Sequence, residues 1–94
     1  MESSAILEAL LRLADDVGMR VDRLSNRGLE DGMAPAGSAR CRLRGETWVM
    51  LAPNDPPKRW IEVLGEGLRE VAGEELEARY LAPAVREVLF PEGP

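Results

Sequence analysis

The chain has 94 residues, of which 45% are hydrophobic and 31% are charged, so it is long enough for one domain core and too short for two. Its formal net charge of −5 argues against duplex DNA or an anionic membrane as the main partner, because both need a cationic surface. Histidine is absent, which removes the commonest general base and zinc ligand. We therefore expect one domain spanning residues 1–94, without a metal or cofactor, and lean toward a non-enzymatic function.

Cysteine content and hydropathy bear on the compartment. The single Cys41 cannot form a disulfide within the chain, and the first residues show no charged segment followed by an apolar one, as a secretory signal requires. No apolar run approaches the length of about 20 residues that crosses a bilayer. These features predict a cytoplasmic protein that does not enter a membrane.

The first predicted element is an amphipathic helix over residues 4–17, where apolar residues recur at helical spacing. Ser3 or Ser4 is expected to cap its first turn. Gly18 is expected to end it, because glycine adopts the left-handed conformation that closes a helix.

A short strand is predicted next, over residues 19–24, with Met19 and Val21 on the same side. Residues 25–37 are dense in Gly, Asn, Asp, Ser and Pro and are predicted to form a flexible loop. At the other end of the chain, residues 91–94 are predicted to be a frayed tail.

A β-hairpin is predicted from residues 39–44 and 47–51, because the Gly45-Glu46 dipeptide between them suits a two-residue turn. Alternating side chains point to opposite faces of such a hairpin. In this register Cys41 and Leu43 lie opposite Met50 and Trp48, and these four apolar side chains form the face that we expect in the core. The other face carries the arginines beside Val49 and Leu51.

A second helix is predicted after Asp55, which can cap it, and its end is predicted at Gly73. Gly65 and Gly67 lower helix propensity and so indicate that another element packs closely there. Residues 74–80 and 83–90 are predicted to form short helical segments. The predicted fold is therefore α+β: an N-terminal helix, a three-stranded, mainly antiparallel sheet with a hairpin, a packed second helix and short C-terminal helices.

This element order, with Glu66 on the second helix, resembles the small core of zincin-like proteins, in particular the ImmA/IrrE metallopeptidase family. In that family the helix presents His-Glu-x-x-His, whose histidines hold zinc while the glutamate acts on the bound water. The corresponding residues here are Gly65-Glu66-Gly67-Leu68-Arg69, in which only Glu66 matches. The resemblance implies, as an alternative function, a diverged zincin-like protein whose pocket retains Glu66, together with Asp55, Glu62 or Cys41. Residues 80–87 are also similar to the ends of short bacterial proteins, a similarity that implies no activity.

Three arginines, Arg40, Arg42 and Arg44, alternate along the first strand of the hairpin, and we call them the arginine row. Their guanidinium groups are expected to share one sheet face, with Arg20 beside them, where they could bind carboxylates or phosphates in bidentate fashion. Weak nucleic-acid binding is one alternative, but base stacking needs aromatic residues on that face, and none is predicted there. An acidic protein segment or a second copy of the chain fits the arginines better.

The remaining candidates favour protein contacts over catalysis. Cys41 has no histidine to activate it and is expected in the core. Both long helices carry more apolar surface than a small sheet can cover, which predicts an exposed patch. The residues expected to extend that patch are Leu29, Met33, Val85, Leu89 and Phe90. We therefore predict a non-enzymatic interaction or regulatory protein that forms a homodimer or binds a protein partner.

Overall fold

A computed structural model describes residues 2–23 and 37–91. In chain order its elements are α1 (Ser3–Val17), β1 (Arg20–Arg23), β2 (Ala39–Leu43), β3 (Glu46–Leu51), α2 (Pro57–Ala78) and α3 (Pro83–Leu89). The predicted α+β class is confirmed. Apart from Gly37 and Pro91, the predicted loop at 25–37 and tail at 91–94 lie outside the described residues. No helix within the described ranges combines the length and apolarity needed to cross a membrane.

Helix α1 ends as predicted and begins differently. Gly18 takes a left-handed φ of 77° at its C-terminus, a conformation that costs glycine little. The predicted serine cap is wrong, because the last non-helical residue is Glu2 and its side chain makes no capping hydrogen bond. Ser3 and Ser4 therefore lie inside the first turn rather than before it.

The three strands form a mixed sheet in the order β1-β3-β2. Strand β2 pairs with β3 in antiparallel fashion, as the predicted hairpin requires. Strand β1 pairs with β3 in parallel, with Arg20 opposite Trp48. The central strand of the sheet is therefore β3, and β1 and β2 are its edges.

The hairpin turn lies one residue earlier than predicted. Arg44 and Gly45 are its two central residues, with φ values of 53° and 81°, and Leu43 lies opposite Glu46. Two positive φ values define a type I′ turn, in which glycine commonly takes the second central position. The prediction placed Gly45 in the first position and so gave the wrong register.

Each face of the hairpin strands carries side chains that were predicted to lie together. The face that is buried, however, is the one that was not predicted to form the core. Thr47, Val49 and Leu51 are buried, whereas Cys41 is exposed and Leu43 is 52% exposed. The prediction that the Cys41 and Leu43 face forms the core is therefore wrong. The reason is that α2 packs against the other face, where Gly67 lies against Val49.

Helix α2 is longer than predicted and bends instead of ending. Ala72 has non-helical φ and ψ of −147° and 36°, and the helix continues beyond Gly73 to Ala78. The predicted helical segment at 74–80 is thus mostly the second part of α2. Val71, which precedes the bend, is 38% exposed. The largest fully buried side chains of the core are Leu10, Val49, Leu51, Val63, Leu64, Leu68, Leu76 and Leu89.

A polar contact joins the start of β2 to the turn before α2. Asp55 was expected to cap α2, but the cap residue is Pro56, and Asp55 instead accepts a 2.6 Å hydrogen bond from the Ser38 N–H. Hydrogen bonds from Ser38 lower the pKa of Asp55 and outweigh the opposing effect of desolvation, and the nearby charge of Arg59 adds to the decrease. The Ser38 hydroxyl oxygen in turn accepts a 2.8 Å bond from the buried N–H of Ala52. These bonds hold β2 beside β3 at the end opposite the turn.

Candidate interaction surface

The four arginines that were predicted to line one face are divided between two faces and a turn. Arg40 and Arg42 lie opposite Val49 and Thr47, on the side of the sheet that α2 covers. Arg44 lies in the hairpin turn. Arg20 shares the other face with its partner Trp48, so the predicted placement of Arg20 beside the arginine row is wrong.

The sheet face opposite α2 gathers side chains from all three strands. We define this open face by eight residues: Arg20 and Asp22 on β1, Ala39, Cys41 and Leu43 on β2, and Glu46, Trp48 and Met50 on β3. Trp48 and Met50 are half-buried, and the other six residues are exposed. The open face is thus an apolar centre bordered by Arg20 and Asp22 on β1 and by Glu46 at the hairpin turn.

Trp48 lies at the middle of the open face. The guanidinium carbon of Arg20 lies 5.4 Å from the centre of its ring, a cation–π contact worth about 0.5–1 kcal/mol at an exposed site. Its indole Nε1 is buried and has no hydrogen-bond acceptor within the described ranges. A buried donor without an acceptor costs about 1–3 kcal/mol.

Cys41 lies on the open face, on the edge strand β2, rather than in the core. Its partner across the hairpin is Trp48, and its side chain is exposed. Cys41 was expected in the core because its face of the hairpin was predicted to be buried. The opposite face is buried, so the expectation for Cys41 is wrong as well. Because the sequence holds no histidine, the common base that activates a catalytic thiol is missing.

The residues that resemble the zincin motif lie on α2, and the two at the histidine positions, Gly65 and Arg69, contact α3. A Cβ built at Gly65 would lie 3.4 Å from a methyl carbon of Val88. The Arg69 Nη1 donates hydrogen bonds of 3.2 and 2.9 Å to the carbonyl oxygens of Val88 and Leu89. The two positions that are histidines in the family are thus engaged by α3, while Glu66 is half-buried.

The structure does not bring the other candidate pocket residues together with Glu66 as a metal site. Glu62 lies 3.4 Å from Arg59, Asp55 bonds to Ser38, and Cys41 lies on the opposite side of the sheet. In residues 2–23 and 37–91, no group of three or more acidic or cysteine side chains could hold a metal ion. The zincin-like relationship stays a prediction.

The predicted apolar patch on the helices is largely used in packing. Val85 and Leu89 are buried, and Leu29 and Met33 lie outside the described residues. A separate groove of about 400 Å³ lies between α1 and the segment before α3. Tyr80 lines this groove and is 88% exposed. The groove is therefore a second candidate for an interaction surface, beside the open face.

Comparison of the chain with protein-family models, curated proteins and solved structures finds no match. Its class is therefore defined by the fold alone: a small α+β protein in which α2 packs on one face of a three-stranded sheet and α1 packs against α2.

Proposed function

We propose that this protein is a non-enzymatic interaction protein that associates with a second copy of itself through the open face. The observation that carries this proposal is the exposure of Leu43 and Cys41 beside Trp48 on a sheet face that α2 leaves uncovered. Clustered apolar side chains on a surface are typical of a protein interface. A scarcity of reactive side chains supports a function based on contact rather than on catalysis.

A second copy suits the open face because the face carries both signs of charge. Arg20 and Asp22 lie two residues apart on β1 and point to the same side. In a two-fold symmetric interface the same surface is used by both copies, so Arg20 of one copy can meet Asp22 of the other. Two such pairs at the rim would frame contacts between the apolar centres.

The size of the open face predicts a reversible dimer. Three strands spaced by about 4.8 Å, each with about five residues, present a face of about 15 by 17 Å. A stable interface buries about 800 Å² on each partner. Sheet-on-sheet packing of the open face alone falls below that area, so we expect monomer and dimer to exchange at accessible protein concentrations.

The test is sedimentation velocity over a concentration series up to about 1 mM, comparing the wild type with Leu43→Glu and Tyr80→Glu. We expect Leu43→Glu to raise the dimer dissociation constant at least about tenfold, which corresponds to about 1.4 kcal/mol, because it replaces an exposed apolar side chain of the open face with a second carboxylate opposite Glu46. Tyr80→Glu introduces the same charge at the groove beside α1 and is expected to leave the constant within about twofold.

Circular dichroism of both variants verifies that they fold. A wild-type protein that stays monomeric at the highest concentration would refute the proposal. So would a dimer that dissociates in Tyr80→Glu and persists in Leu43→Glu, because the groove would then be the interface.

A further inference from the structure

The outer edge of β2 is a second unpartnered surface, distinct from the open face. The strand order β1-β3-β2 leaves β2 paired on one side only, and no other strand in the described ranges pairs with it. All five of its residues, Ala39–Leu43, are exposed. An exposed edge presents a row of backbone groups that can pair with another extended chain.

The turn geometry determines which backbone groups are free. A two-residue turn at Arg44 and Gly45 makes Leu43 and Glu46 a hydrogen-bonded pair, and such pairs alternate with non-bonded pairs along an antiparallel ladder. In the observed register Arg40 and Arg42 fall at the non-bonded positions. Their N–H and C=O groups therefore point away from β3, toward the free edge.

The same edge is the most basic segment of an acidic chain. Arg40, Arg42 and Arg44 fall within five residues of a protein with a net charge of −5. Arg40 lies 3.3 Å from Glu70 on α2. Within the described residues, Arg42 and Arg44 form no salt bridge, so their guanidinium groups are available to a carboxylate partner.

Charge also excludes a second copy as the occupant of this edge. Pairing β2 with β2 of another copy would bring arginines of the two arginine rows next to each other, and like charges directly opposite across strands are destabilising. A strand with acidic side chains at the same positions would gain ion pairs instead. The edge therefore favours an acidic partner.

We propose that the free edge of β2 binds an extended segment of a partner protein in which acidic and apolar residues alternate. Backbone groups of Arg40 and Arg42 would form the ladder, as in other cases of strand addition. Acidic side chains of the added strand would lie beside Arg40 and Arg42 on the α2 side of the sheet. Its apolar side chains would lie beside Cys41 and Leu43 and would extend the open face.

The probe for this proposal is a fluorescein-labelled octapeptide of alternating Glu and Val, measured by fluorescence anisotropy. The control peptide has four Glu followed by four Val, and so has the same composition and charge. We expect the alternating peptide to bind at least about tenfold more tightly, because only alternation places every carboxylate on one face of the strand.

Two protein variants and one modified peptide complete the test. Arg42→Glu is expected to weaken binding of the alternating peptide at least about tenfold, whereas Arg12→Glu, an exposed position on α1, changes it by about twofold or less. Methylating the backbone nitrogens along one edge of the peptide is expected to abolish binding, because it removes ladder donors.

Four outcomes would each overturn the proposal. The two peptides could bind equally, or Arg42→Glu could bind the alternating peptide as tightly as the wild type does. The peptide could also bind whichever of its edges is methylated, or show no binding at about 1 mM. Self-association is measured separately by sedimentation of Arg42→Glu. Arg42 points away from the open face, so this variant is expected to keep the dimer. Failure of strand addition and failure of the proposed function are therefore distinguishable.

Discussion

Replacing Leu51 with alanine is expected to lower the free energy of unfolding by about 2–5 kcal/mol. Leu51 is fully buried between the sheet and the helices, and shortening its side chain leaves a cavity that the surroundings fill only in part. Leu43 provides a matched control, since it is also a leucine of the hairpin but is 52% exposed on the other face. The Leu43→Ala variant is expected to change stability by about 0.5 kcal/mol or less.

Urea unfolding of the two variants and the wild type, at a protein concentration low enough to keep all three monomeric, measures both effects. The comparison decides which face of the hairpin is the core. If Leu43→Ala were the more destabilising change, the face carrying Cys41 and Trp48 would be the buried one, and the open face would not exist.

A close approach between α2 and the sheet gives the second large effect. A Cβ built at Gly67 would lie 2.7 Å from a methyl carbon of Val49 and 2.9 Å from the sulfur of Met19. Both side chains are buried, so the clash is not relieved by movement into solvent. Gly67→Ala is therefore expected to destabilise the protein by about 1–3 kcal/mol, although alanine favours helix.

Gly73 on the same helix is the control, because nothing lies within 4 Å of a Cβ at that position. Gly73→Ala is expected to stabilise the protein by about 0.4–1 kcal/mol, since it restricts the unfolded chain without a clash. Thermal unfolding of both variants gives the signs directly. A stabilising Gly67→Ala would show that α2 does not pack as tightly on β3 as described.

Local sequence signals predicted the helices well and the sheet only in part. The apolar spacing of α1 and the glycine at its end are local signals, and they are enough to predict that helix. The hairpin was recognisable from its glycine, but Gly45 can occupy either central position of a two-residue turn, and the register follows from which one it takes. The bend at Ala72 has no such signal, so α2 was predicted to end too early.

The choice of buried face could not be made from the hairpin alone. Each face carries apolar residues, and alternation shows which side chains share a face without showing which face a helix covers. One signal pointed to the correct answer: Gly67 indicated a close contact with α2, and the β-branched Val49 is the side chain that fills it.

The candidate site was predicted in its residue types more than in its arrangement. The shared face of Arg40 and Arg42 on β2 was visible from alternation, but the position of Arg20 depends on parallel pairing between β1 and β3, which are far apart in sequence. Because the buried face of the hairpin is the opposite of the predicted one, Cys41 lies at the surface and not in the interior. Long-range pairing thus decided which residues form the open face.

The central claim is that a second copy covers the open face. The reactivity of Cys41 toward a thiol reagent in the native protein tests this claim most directly. At low protein concentration we expect the thiol to react at a rate close to that of the unfolded chain, because Cys41 is exposed. At increasing concentration we expect the reaction to slow as dimers form. A thiol that is protected at every concentration, or one whose rate does not change up to about 1 mM, would contradict the account.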